Sequence, residues 1–188
     1  MKILKYFCLI LFLIFFSRCD QFHSTSSPGD KLTNQLINRV SKKLAKNYNL
    51  TVSAVGGSVD ELGIKSIILI YRHYGAALNV EKARIIMVNM IEEYLNEINN
   101  DEKLRTYLKN YPFTTSNLIL SLISFNDDGE THVDPDLVTI SIEKDYLSYQ
   151  TKDPNNPYNY KDSFTEKYAD ALKIVRNSGE LLLDKSNF

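Results

Sequence analysis

Ile64-Lys-Ser-Ile-Ile-Leu-Ile-Tyr-Arg-His-Tyr74 is the stretch on which the fold turns. It is rich in β-branched and aromatic residues, and its centre, Ile67 to Tyr71, is apolar on both sides. Those side chains suit a pleated surface flanked by neighbours, so 64–74 reads as an interior strand, ended by Gly75. An interior strand requires a sheet, and the chain on either side supplies one.

Upstream, Leu50 to Val55 alternates apolar and polar residues, the pattern of a half-buried strand. Gly56-Gly57-Ser58 reads as the turn between these two strands. Before them, Leu32, Leu36, Ile37, Val40 and Leu44 recur at helical spacing, which predicts a helix from Asp30, as N-cap, to about Asn47. Downstream, Asn79 is placed to cap the longest helix, reaching about Asn99 with a stripe of Ala83, Met87, Met90, Ile91, Tyr94, Leu95 and Ile98. Ile85, Ile86 and Val88 widen that stripe, so its first turns are expected to be covered on two sides. Asp101 then opens a shorter helix carrying Leu104, Tyr107, Leu108 and Tyr111, stopped by Pro112.

Asn117 to Phe125 is a strand, Asn126 to Gly129 a turn, and Leu137 to Glu143 a strand whose alternation belongs to a sheet with one buried face. Lys144-Asp145 turns into a last strand, Tyr146 to Thr151. Lys152 to Asp162, with two prolines and three asparagines, is a loop. Ser163-Phe164-Thr165-Glu166 has the form of a capping box, opening a final helix that buries Phe164, Tyr168, Ala171, Leu172 and Val175 and stops at Gly179. The expected order is α-β-β-α-α-β-β-β-α. The fold class is α+β: an antiparallel sheet of about five strands with helices packed on one face.

The remaining stretch sets where such a domain sits. Lys2 and Lys5 precede an unbroken apolar run from Tyr6 to Phe16, closed by Ser17, Arg18 and Cys19. The run is shorter than the roughly 20 residues a membrane-crossing helix needs, and its layout is that of an export signal. Leu13-Ile14-Phe15-Phe16-Ser17-Arg18-Cys19 resembles the end of a bacterial lipoprotein signal peptide. Ser17 fits the small-residue habit of that class, whereas Arg18 stands where the class carries Gly, Ala or Ser. The resemblance covers only the leader. It implies cleavage before Cys19, diacylglycerol on its sulfur, and usually a further acyl chain on the new amino terminus. Plain secretion and a retained signal anchor are the competing readings. The organisation is then a signal peptide over 1–19, a flexible tether over 20–29 holding His23, one α+β domain over 30–179, and a loose tail over 180–188. Cys8 and Cys19 are the only cysteines, so the domain must be held by its core without a disulfide.

A second resemblance rests on Glu92-Glu93-Tyr94-Leu95, Leu104-Arg105, Tyr107-Leu108 and Tyr111-Pro112-Phe113, which look like small uncharacterised exported proteins of intracellular bacteria. It implies no functional residues.

The formal net charge of −1 gives no basic excess that would argue for nucleic acid. Gly57 to Lys65 lacks the spacing of a phosphate loop, and Gly56 to Asp60 that of a nucleophile elbow, so no cofactor is expected. Four places remain where chemistry could sit. Arg39, Lys42, Lys43 and Lys46 form a basic face on the helix nearest the anchor, either solvated or in contact with anionic lipid. Asp127, Asp128, Glu130, His132, Asp134 and Asp136 crowd one hairpin, without the order of a calcium loop; a solvated acidic turn is the default and no metal is expected. His73, with His132 and nearby carboxylates, could serve an exported hydrolase, although a hydrogen-bonded sheet histidine explains it as well. Tyr146, Tyr149, Tyr158 and Tyr160 either seal the edge of the core or offer a protein partner a Tyr-rich surface. The leading functional reading is an envelope lipoprotein, anchored to membrane lipid through acylated Cys19, with a non-catalytic binding domain. The alternatives are the hydrolase and a secreted host-directed factor.

Overall fold

The computed structural model describes residues 28–156 and 158–181. The leader with Cys19, the tether as far as residue 27, and the tail from residue 182 lie outside the described residues. Four helices and six strands are described: α1 (Pro28–Asn47), β1 (Thr51–Asp60), β2 (Gly63–Tyr74), α2 (Val80–Asn100), α3 (Glu102–Arg105), β3 (Leu118–Phe125), β4 (Leu137–Glu143), β5 (Tyr146–Lys152), β6 (Tyr160–Lys167) and α4 (Tyr168–Ser178), with a 3-10 turn at Thr115–Asn117. The fold is α+β. The strands lie side by side in chain order, β1 to β6, in one sheet.

The sheet is mixed, and this corrects the expected antiparallel arrangement. β2 and β3 run parallel, from Ile67 opposite Leu118 to Tyr74 opposite Phe125, while every other neighbouring pair is antiparallel. The cause is the connection. α2 and α3 intervene between β2 and β3, and a helical crossover returns the chain to start its next strand in the same direction.

The sixth strand is the second correction. Tyr160–Lys167 pairs with β5, so the proposed capping box is not a helix start. Its Glu166 carboxylate is taken by Tyr149 and Arg84, and Phe164 stacks on Tyr149 at 5.7 Å, half-exposed and outside the last helix. The helix begins only at Tyr168 and still buries Tyr168, Ala171 and Val175, and Gly179 stops it at φ +76. Beyond it, the Glu180 carbonyl accepts from the Asn89 side chain at 2.9 Å.

Three smaller departures have equally local reasons. Gly56 and Gly57 lie inside β1 and the turn falls at Glu61-Leu62; at Gly57 a Cβ would stand 2.7 Å from the Ser66 carbonyl oxygen, so glycine serves close strand approach. α1 starts at Pro28 rather than Asp30, because proline in a first turn gives up no intrahelical hydrogen bond. α3 is one turn long, since Tyr107 and Lys109 exchange backbone hydrogen bonds with Ile64 at 2.7 and 2.9 Å instead of continuing the helix.

The core lies between the helices and one sheet face. Ile67, Leu69 and Tyr71 of β2, Leu118, Leu120 and Leu122 of β3, Ile140 and Ile142 of β4, and Leu147 and Tyr149 of β5 are buried there. Leu36, Val40 and Leu44 of α1, the expected stripe of α2, and Ala171 and Val175 of α4 close on them. The side chains between these on each strand point to the opposite face.

Candidate functional site

That opposite face is the candidate site. Ile68 and Ile70 on β2 register with Ile119 and Ser121 on β3, and Arg72 and Tyr74 with Ile123 and Phe125. All but exposed Arg72 and Tyr74 are part-buried, and no helix lies over them among the described residues. The tyrosine ring of Tyr74 stacks on Phe125 at 5.3 Å, with the Arg72 guanidinium 5.7 Å from the same ring. Beyond this apolar centre the face turns polar through Thr139, Ser141, Ser148 and Gln150. At its far side Tyr158 of the loop after β5 and Tyr160 at the start of β6 lie over Ile123, Val138 and Thr139, lining a shallow pocket of about 240 Å³. Lys152 lines it and donates to the Thr131 hydroxyl at 2.6 Å. Tyr158 is 94% exposed, and Tyr74, Tyr146 and Tyr160 are each about half exposed on this same face. Of the four tyrosines singled out from sequence, Tyr149 is the one in the core, where burial pushes its hydroxyl pKa up.

The expectation for 64–74 is thus half right. β2 has a strand on each side, but one of its faces is open, so Ile68 and Ile70 are apolar without being covered. The signal was present as apolar residues at both parities of β2 and β3. Periodicity alone cannot separate a face buried in the fold from a face kept apolar for a partner.

The other candidates are dispersed. Arg39 pairs with Asp101 at 3.4 Å, and Lys43 reaches Glu93 at 3.4 Å and also bonds Glu97, which raises its pKa. These two cations tie α1 to the α2–α3 unit, whereas Lys42 and Lys46 are exposed. In the acidic hairpin Asn126 caps its own turn, accepting from the Asp128 and Glu130 amides. Asp134 leaves the cluster for Lys161, which lowers its pKa, and for the Thr151 hydroxyl. Among the described residues no three His, Cys, Asp or Glu side chains come together in a group able to hold a metal.

His73 and His132 do approach one another. His73 Nδ1 lies 3.4 Å from Ser124 Oγ, and His132 donates from Nε2 to the Gly75 carbonyl at 3.1 Å, with Asp136 3.9 Å from its Nδ1. Each ring is held by a separate partner, and Ser124, at 0% exposure, offers no hydroxyl to a substrate. Burial lowers the His73 pKa below its ordinary 6.5, and the neighbouring His132 charge lowers it further. A depressed folded-state pKa means the unfolded chain binds the proton first. Stability contributed by neutral His73 is therefore complete above 6.5 and is lost as pH falls through and below that value. His73→Gln is expected to flatten the urea midpoint between neutral pH and about pH 5, where the parent's midpoint declines; parallel declines would remove His73 as the cause.

No helix of the described residues is long and apolar enough to cross a membrane. Comparison of the chain with protein-family models, with curated proteins and with solved structures finds no match.

Proposed function

We propose that this chain is a bacterial envelope lipoprotein, held to membrane lipid by acylated Cys19, whose α+β head is a non-catalytic binding module working through the open sheet face. The observation that carries the reading is that face: isoleucines and Phe125 at its centre, exposed tyrosines around them, and no helix over it among the described residues. Tyrosine brings large contact area at low entropic cost together with a hydroxyl, and an uncovered apolar face is retained in a folded head when something docks on it. The partner is a protein rather than a small substrate, because the face is broad and the recess of about 240 Å³ beside Tyr160 is shallow. Exposed Lys42 and Lys46 add a weak attraction to anionic headgroups, on the order of 1 kcal/mol each.

The test has two arms, one for each half of the reading. In the first, Cys19→Ser is expected to abolish palmitate labelling and move the protein out of the membrane fraction. Unchanged fractionation and labelling would overturn the anchor. In the second, a photo-cross-linking side chain replacing Tyr160 in the full chain is expected to trap a discrete protein adduct in the envelope. The same group replacing Lys173, exposed on α4, should trap none. No adduct at Tyr160, or equal adducts at both positions, would overturn the open face as a docking surface.

A further inference from the structure

The two edges of the sheet are built differently. β6 carries Lys161, Asp162 and Lys167 along an exposed strand, the charges by which proteins keep an edge from pairing with other chains. β1 carries none. From Thr51 to Val59 it reads Thr-Val-Ser-Ala-Val-Gly-Gly-Ser-Val, without a charge or a proline, and most of it is exposed. Its one interruption on the outer strand, at Ser53, leaves Ala54 to Ser58 in continuous register with Ile70 to Ser66. No strand pairs with its outer side among the described residues. Large apolar side chains are also presented here: Val55, Val59 at 56% exposure and Leu62 at 73% on the hairpin tip.

We infer that β1 is a self-association edge, pairing antiparallel with β1 of a second copy to join two six-stranded sheets into one. Three observations favour a second copy as the occupant. An antiparallel pair of identical strands is related by a two-fold axis, so one surface completes itself. The face alternation allows such an axis at Gly56. Ala54, Gly56 and Ser58 share the open face while Val55 and Gly57 share the other, and rotation about Gly56 sets Ala54 against Ser58 and Val55 against Gly57. Each valine then meets a residue with no side chain to obstruct it. The charges also match. Asp60 stays with Lys109 of its own chain, and the rotation carries the neighbouring exposed Glu61 of one copy towards the base of β1 in the other, where Arg72, the cross-strand neighbour of Thr51, is exposed with its guanidinium over the Phe125 ring. Because the axis stands perpendicular to the sheet, both open faces lie on the same side, giving the assembly a doubled docking surface.

The described head contains no cysteine, so a single introduced thiol reports the pairing. At Gly56 a Cβ has nothing within 4 Å and φ is not positive, so Gly56→Cys fits the fold. Directly opposed Cβ atoms in an antiparallel pair stand about 4.5–5.5 Å apart, within reach of a disulfide after slight adjustment. In the full membrane-bound chain under mild oxidation, Gly56→Cys is expected to convert most of the protein to a reducible band of twice the mass. That band should be absent from the parent chain, from Ser163→Cys on the β6 edge, and from Gly56→Cys combined with Val55→Lys. A monomer only, a band shared by Ser163→Cys, a band that survives Val55→Lys, or a mixed disulfide with a different protein would each overturn self-pairing.

Discussion

Replacing Glu166 by Ala is expected to destabilise the head by about 3–5 kcal/mol, the loss found when one partner of a buried ion pair is removed. Glu166 sits on β6 with its side chain 10% exposed, and Arg84 on α2 with its side chain 15% exposed. One carboxylate oxygen accepts from Arg84 Nε at 2.8 Å and from the Tyr149 hydroxyl at 2.6 Å. Three elements, α2, β5 and β6, therefore meet at one atom. The bond from Glu166 raises the Arg84 pKa, so the arginine stays charged and Glu166→Ala leaves that charge part-buried without its carboxylate and the Tyr149 hydroxyl unmatched. Glu166→Gln keeps an acceptor and should cost less. Replacing both members with apolar residues, Arg84→Met with Glu166→Leu, should recover most of the loss, since a buried pair repays little more than its own desolvation. Urea midpoints of the three variants measure this. A loss below about 1 kcal/mol for Glu166→Ala would mean that solvent reaches the pair and screens it.

The same residue shows where reading the sequence stops. Ser163 to Glu166 satisfies the capping-box pattern, and nothing local distinguishes a glutamate that bonds a helix N-terminus from one that bonds an arginine 82 positions away. Long-range partners also decided the one-turn length of α3, whereas the parallel pairing of β2 with β3 follows from the helical crossover already present in the expected order of elements. Elements whose signal is local were legible: α2 with its Asn79 cap accepting from the Lys82 amide, β4 to the residue, and the αL stop at Gly179. For the candidate site, Tyr158 and Tyr160 were visible as loop aromatics. Ile70, Ile119 and Phe125 were not, because apolar residues on an open face read the same as core. The uncharged run of β1 from Thr51 to Val59 was concealed for a related reason: Gly56-Gly57 imitates a turn, when its place in the ladder is to let strands approach.

Gly63→Ala is expected to cost on the order of 3–4 kcal/mol. Two effects combine. Gly63 has φ +119, where an L side chain adds strain of about 1–3 kcal/mol. A Cβ there would also collide with the Tyr107 carbonyl oxygen, and overpacking typically adds about 1–3 kcal/mol. The neighbour cannot step aside, because Ile64 N donates to that same carbonyl at 2.7 Å and Lys109 N donates to Ile64 O at 2.9 Å. Gly129 separates the two effects within one molecule: its φ is +84, but nothing stands within 4 Å of its Cβ position. Gly129→Ala should show the strain alone and lose roughly a third as much. Equal urea midpoints for the two variants would remove the collision from the account. The lock at Gly63 also steadies the β1–β2 hairpin, whose tip is tied to the same segment by the Lys109–Asp60 ion pair. If β1 self-pairs, Gly63→Ala should weaken the cross-link formed through Gly56→Cys under conditions where the head remains folded, because a hairpin free to swing no longer presents its edge in register.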